Sequence, residues 1–129
     1  MLNDTIINNI TFCDDHVDHE LLKKISIESE ISELIINEGN KEVGEKGLKM
    51  SGGQLQRLSI ARALYKKPEI LIFDEATNAL DEETEKKLLE TIYSFKGKIT
   101  LIIISHNLKN LDKCDAKYKL ENGNFKIQS

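Results

Sequence analysis

The chain has no tryptophan and a single proline, Pro68, so neither residue punctuates it into obvious pieces. It has two cysteines, Cys13 and Cys114, far apart and without a CxxC spacing. That pattern offers neither a disulfide framework nor a thiolate metal site, and predicts free thiols in a reducing compartment. No apolar run approaches the roughly 18–20 residues that span a bilayer. The start, Met1-Leu2-Asn3-Asp4, lacks the basic and then apolar stretch of a secretory signal. Basic excess is missing as well: 18 Lys and Arg face 22 Asp and Glu, a net charge of -4, which argues against a general nucleic-acid binder. There is no internal repeat and no low-complexity linker. What is present is an ordinary soluble composition, 40% hydrophobic and 31% charged over 129 residues, enough chain for one domain with a sizeable core.

The chain divides by composition. Residues 1 to about 66 contain no run resembling a buried strand, and residues 67–129 contain two. Thr5 to Phe12 fits either a short helical turn or an extended piece. The acid-rich stretch Asp14 to Glu20 suits a helix start, where the dipole is positive. Leu21, Leu22, Ile25, Ile31, Leu34 and Ile35 then recur at threes and fours, as on one packed helical face. Asn37 to Lys49, with three glycines, reads as loop. Ser51 with Gln54 three residues on forms a capping box; Leu58, Ala61 and Leu64 give that helix a buried stripe, and Pro68 stops it.

Ile70-Leu71-Ile72-Phe73 and Leu101-Ile102-Ile103-Ile104 are short continuous apolar runs, predicted as strands buried on both faces of a parallel sheet. Between them Asp81-Glu82-Glu83 opens a helix with Leu88, Leu89, Ile92 and Phe95 inward. Strand, helix, strand implies a right-handed parallel crossover. Leu108 to Cys114 fits a short helix. Tyr118-Lys119-Leu120 and Phe125-Lys126-Ile127 around Asn122-Gly123 fit a hairpin.

The two strands end in chemistry, one in Asp74-Glu75 and the other in Ser105-His106. Ligands of open α/β sheets sit beyond the carboxyl ends of the strands, so both pairs are expected at one edge. Adjacent carboxylates there suit metal-assisted phosphate chemistry, one holding Mg²⁺ through water and the other orienting or deprotonating an attacking water. They equally suit plain helix-cap acids, and a lone histidine is more often structural. Ser51-Gly52-Gly53-Gln54 presents free amides at a helix start, which can bind an anion or simply cap a helix.

Taken together, these pieces follow a known order. The run from Leu48 through Met50-Ser51-Gly52-Gly53-Gln54-Leu55-Gln56-Arg57 to Leu64 closely resembles the signature motif of ABC ATPases. Ile70 to Glu75 resembles their Walker B strand, Asn78-Ala79-Leu80-Asp81 their D-loop, and Ser105-His106 their switch histidine. Met50 stands where leucine is commoner, and Asn78 where serine is. Val43-Gly44-Glu45-Lys46-Gly47 resembles the loop before the signature in exporter-type members, and Thr5 to Ile10 the segment after their Q-loop.

The resemblance implies an α/β fold, a partial P-loop NTPase-like ABC ATPase. Residues 1–66 are its helical subdomain with the residual post-Q-loop segment, and residues 67–129 the later strands of the parallel catalytic sheet. It implies ATP and Mg²⁺ as cofactors. Asp74 would hold Mg²⁺ through water, Glu75 would be the general base, and His106 would contact the γ-phosphate. Ser51, Gly52 and Gly53 would close on ATP held by an opposite subunit, with Gln54 supporting that loop and Asp81 coupling the two sites. Glu45 would touch a membrane domain, or be a solvated loop acid. The implied partners are a second nucleotide-binding domain in a head-to-tail dimer, a transmembrane domain and the N-terminal half of the ATPase domain, with no nucleic acid. The implied place is the cytoplasmic face of a membrane, peripheral or tethered through the transmembrane domain, with the fragment itself soluble.

The P-loop pattern GxxxxGK[ST] does not occur. Gly97-Lys98 approaches it, but Ile92 stands where the first glycine belongs and Ile99 where Ser or Thr belongs. The amides and lysine that cradle phosphates are therefore missing from these 129 residues. By resemblance, the adenine-stacking aromatic and the Q-loop glutamine would lie before Met1. The expectation is an exporter ATPase portion, inactive alone, with apolar strands short of neighbours unless it dimerises or pairs with a separately made front half. A soluble ABC ATPase of translation or chromosome maintenance, and a non-catalytic interaction module, are the alternatives.

Overall fold

A computed structural model describes residues 2–43, 49–78 and 80–128. Gly44 to Gly47 of the exporter-like loop, Leu48 of the signature run and Ala79 of the D-loop-like run lie outside the described residues.

Four helices come first: α1 (Ile6–Thr11), α2 (His19–Glu28), α3 (Ser32–Glu38) and α4 (Gly52–Tyr65). Thr5 settles α1 as helical, because its hydroxyl accepts the Asn8 amide at 3.0 Å and caps the first turn. Asp18, the last acid of the polar bridge before His19, caps α2 in the same way through the Leu21 amide. The apolar spacing from Leu21 to Ile35 is served by two helices rather than one. The Ser29 hydroxyl turns back to the Ile25 carbonyl at 2.6 Å, Glu30 takes a left-handed φ of 56°, and the Ile31 amide returns to the Ser26 carbonyl. Such a left-handed residue ends a helix, and buried Ile31 then lets α3 start at a new angle.

The second part holds β1 (Ile70–Asp74), α5 (Glu82–Tyr93), β2 (Thr100–Ile104), a 3₁₀ turn (Leu108–Leu111), β3 (Lys117–Glu121) and β4 (Asn124–Gln128). β1 and β2 pair in parallel from Ile70 opposite Thr100 to Asp74 opposite Ile104, with α5 between them in sequence. β3 and β4 form a separate antiparallel hairpin, turned by Asn122 and Gly123 at φ 49° and 78°.

The core is one cluster that crosses residue 66. Ile6, Ile10, Ile25, Leu58 and Leu64 of the helices meet Leu71, Phe73, Leu88, Ile92 and Phe95 of the later elements. The sheet departs from the expectation of strands buried on both faces. Leu71 and Phe73 point into this core, whereas Ile70 and Ile72 are 55% and 64% exposed. Ile102 and Ile104 of β2 are also exposed. A helical layer covers one face only among the described residues, so the other face of each apolar strand meets solvent.

Candidate active site

Register places the chemistry at one edge. Because Asp74 lies opposite Ile104, the residues that follow each strand emerge side by side, and the Glu75 amide extends the ladder to the Ile104 carbonyl at 3.0 Å. Glu75 then leaves the strand with φ 48°, a left-handed conformation that a side-chain-bearing residue holds only where its surroundings fix it. The turn that fixes it returns the Asn78 amide to the Glu75 carbonyl at 3.0 Å.

Both carboxylate oxygens of Glu75 are engaged. Oε1 meets His106 Nε2 at 2.5 Å, and Oε2 accepts the side-chain amide of Asn78. The Glu75 side chain is 29% exposed and that of His106 89%, so the pair lies at the surface where a ligand can reach it. Asp74, the last residue of β1, is exposed, and its carboxylate makes no hydrogen bond or ion pair among the described residues. Among the described residues no cluster of three or more His, Cys, Asp or Glu side chains could hold a metal by itself. A hard cation at Asp74 would therefore take its remaining ligands from water and phosphate oxygens, as Mg²⁺ does in nucleotide sites.

The second group forms around the start of α4. Ser51 Oγ accepts the Gln54 amide at 3.2 Å and Gln54 Oε1 accepts the Ser51 amide at 2.9 Å, the reciprocal cap expected from the sequence. Gly52 and Gly53 follow as the first two helical residues, whose amides no helix can satisfy internally. Gly53 also has a packing role: a Cβ there would stand 2.6 Å from Thr84 Cγ2, and one at Gly52 would stand 3.1 Å from Leu80 Cδ2. The start of α4 thus rests against the start of α5, where Asp81 Oδ1 accepts the Thr84 amide. Hydrogen bonds from Thr84, side chain first and then backbone, hold the Asp81 carboxyl below the usual carboxylate range. The structure brings Glu75, Asn78 and His106 together, and separately Ser51–Gln54 with Leu80–Thr84. No hydrogen bond or ion pair among the described residues joins the two groups.

Two structural ties escaped the sequence reading. Glu30, at the break between α2 and α3, accepts Thr91 Oγ1 of α5 at 3.0 Å and pairs with Arg57 of α4 at 3.2 Å. Asn110, buried at 4% exposure in the 3₁₀ turn, directs its side-chain amide at Glu85 Oε1 (2.8 Å), Thr77 Oγ1 (3.0 Å) and Ser105 Oγ (3.4 Å). Its carbonyl accepts the Tyr93 hydroxyl at 2.5 Å, and burial first, then the Cys114 thiol, pushes that phenol up. No local signal marks either residue: Glu30 and Asn110 look like ordinary polar residues of a connection.

Residues 3–78 match the family described as ABC transporter. Over 126 residues the chain is 37% identical to the ATP-dependent lipid A-core flippase of Saccharophagus degradans, covering 95% of this chain and 22% of that one. It is 36% identical over 126 residues to the heavy metal tolerance protein of Schizosaccharomyces pombe, covering 95% and 15% respectively. Among solved structures, a bacterial Atm1-family ABC exporter with ATP bound superposes with a TM-score of 0.79 at 39% identity, over 95% of this chain and 22% of that one. The chain therefore spans about a fifth of the length of such relatives.

Proposed function

The chain belongs to the ABC transporter family, and from that premise we propose that it is the signature-to-switch portion of an exporter-type ATPase domain, coupling ATP hydrolysis to transport across a membrane. Residues 1–66 serve as the helical subdomain, and residues 67–129 as the later part of the catalytic core. The observation that carries this reading is the Glu75–His106 pair at the shared carboxyl edge of two parallel strands, with Glu75 held at φ 48°. Cap acids and a structural histidine give no reason for a strained carboxylate to meet an exposed imidazole.

Bound Mg²⁺–ATP supplies the terminal phosphoryl group and a cation that draws charge from it. Asp74, whose exposed carboxylate has no partner among the described residues, would hold the cation. Glu75 accepts the proton of the attacking water, oriented by Asn78 and His106. His106 donates toward the terminal phosphate. Ser51 and the Gly52 and Gly53 amides face the nucleotide of a second, head-to-tail domain, with Gln54 fixing the loop and Asp81 linking the two sites. The partners in this reading are that second domain, a transmembrane domain, and the P-loop-bearing half of the ATPase, and the place is the cytoplasmic face of the membrane. No described helix is long and apolar enough to cross a membrane.

The test is Mg-ATP binding and turnover by the 129-residue chain, alone and mixed with a P-loop-bearing front half, with Glu75→Gln as control. The chain alone is expected to show neither, and the mixture turnover that Glu75→Gln abolishes. Turnover by the chain alone, lost in Glu75→Gln, would mean that it builds its own phosphate site and would overturn the partition of labour. The alternative is a non-catalytic module that docks on another subunit. Capture by a complete nucleotide-binding domain, without turnover in any mixture, would select it.

A further inference from the structure

Glu75 and His106 sit on different connections, one after β1 and one after β2, and neither connection is braced by the sheet ladder beyond the Glu75 amide. Their meeting therefore needs something to hold the two connections at a fixed separation. Asn110 is placed to do this. It belongs to neither connection's first turn, yet its amide group bonds Thr77 in the connection after β1, Ser105 in the connection after β2, and Glu85 on α5. Thr77 lies between Glu75 and Asn78 in the turn that orients the Glu75 carboxylate. Ser105 immediately precedes His106, and its hydroxyl also accepts the Asn107 amide at 3.1 Å. The Tyr93 hydroxyl bonds the Asn110 carbonyl, so Asn110 is itself anchored to the last turn of α5.

We propose that Asn110 is a positioning residue that sets the contact between Glu75 and His106 by tying Thr77 and Ser105 to one amide group on a buried side chain. The assignment rests on the reading of Glu75 and His106 given above, and concerns how they are held rather than what they do. Two amide hydrogens are shared among three acceptors, two of them at 2.8 and 3.0 Å. Glu85 fixes the amide in place while Thr77 and Ser105 report its position to the two connections. Losing the donor would leave the Glu85 carboxylate and the Thr77 and Ser105 hydroxyls without the amide group that links them.

The experiment is NMR of the 129-residue chain, reading the His106 imidazole and the Asn78 side-chain amide, in Asn110→Asp, Thr77→Val and Asn110→Asp with Glu85→Gln. Glu75→Gln supplies the reference positions for an imidazole that has lost its carboxylate partner. Asn110→Asp sets a carboxylate against Glu85, and the imidazole signals are expected to move toward those of Glu75→Gln. Adding Glu85→Gln restores a donor and acceptor in reversed sense, and is expected to return them. Thr77→Val, nearly isosteric, removes one acceptor and keeps the proposal testable if Asn110→Asp does not fold; it should move the Asn78 amide and the imidazole in the same direction. A merely structural Asn110 would lower the melting temperature while leaving these signals in place, and that result overturns the proposal. If Glu75→Gln itself leaves the imidazole unmoved, the Glu75–His106 pairing fails, which would sink the functional reading and not only this inference.

Discussion

α4 and β1 carry neighbouring motifs and are finished in opposite ways. The stripe of α4 is closed, with Leu58 and Ala61 fully buried and Ile60 and Leu64 nearly so, and its first turn opens with a reciprocal Ser51–Gln54 cap. β1 buries Leu71 and Phe73, leaves Ile70 and Ile72 in solvent, and ends in Asp74, whose side chain has no partner among the described residues, and in Glu75 at a left-handed φ. A helix satisfies its backbone internally and needs one covered face, whereas an apolar strand of a parallel sheet has two faces to cover. Of these two elements the helix is closed over its stripe, and the strand whose end carries the candidate chemistry is open on one face.

The contrast is broken most strongly at Glu75. In an assembled ATPase, Glu75→Gln is expected to lower the hydrolysis rate by roughly 10²–10⁴-fold, while the melting curve of the chain stays within about 0.5 kcal/mol of the parent. A comparable loss of stability would show that the carboxylate holds the fold instead. Next in size is a matched pair of truncations. Leu58→Ala, which empties a fully buried site, should destabilise by about 2–5 kcal/mol in urea denaturation, and Ile72→Ala on the open face of β1 by no more than about 0.5 kcal/mol. A large effect at Ile72 would mean that the open face is covered in solution.

Gly53→Ala sharpens the account of α4's start. Its new methyl runs into Thr84, and a loss of about 1–3 kcal/mol is expected. Thr84→Ser, which removes the opposing methyl, should recover much of it; no recovery would place the strain elsewhere. Ser51→Ala should cost about 1 kcal/mol, no more than Gly53→Ala, and by the same amount at all pH values because the hydroxyl does not titrate. The Asp81 cap of α5 differs. Its folded-state carboxyl titrates below the unfolded value of about 3.9, so its support is present above that pH and is lost as pH falls through the folded value. Amide exchange should show Thr84 losing protection in acid before Gln54; equal loss would refute the difference between the two caps.

Much of this was legible from residues alone. The capping box at Ser51 and Gln54, the stop before Pro68, the strands from Ile70 and Leu101 and the Asn122-Gly123 hairpin each rest on local chemistry, and the structure holds each of them. Parallel pairing followed from the order of elements, and it brought Glu75 beside His106. The split at Glu30 was hidden because apolar spacing continues across the break, and periodicity does not register one left-handed residue. The packing role of Gly53 was hidden because the approach of Thr84 is set by where α5 lies, not by either sequence neighbourhood.

The sequence by itself determined which residue types could handle phosphate chemistry, their order, and the family to which the chain belongs, since these depend on short spacings. Tertiary structure alone decided which strand face stays open, that Glu75 leaves its strand at φ 48°, and that Asn110 ties Thr77, Glu85 and Ser105 together. The open face and the reach of Asn110 to Thr77 and Glu85 depend on contacts between segments tens of residues apart. Such contacts form only after loop closure has been offset by a common core, and no local pattern of side chains encodes them.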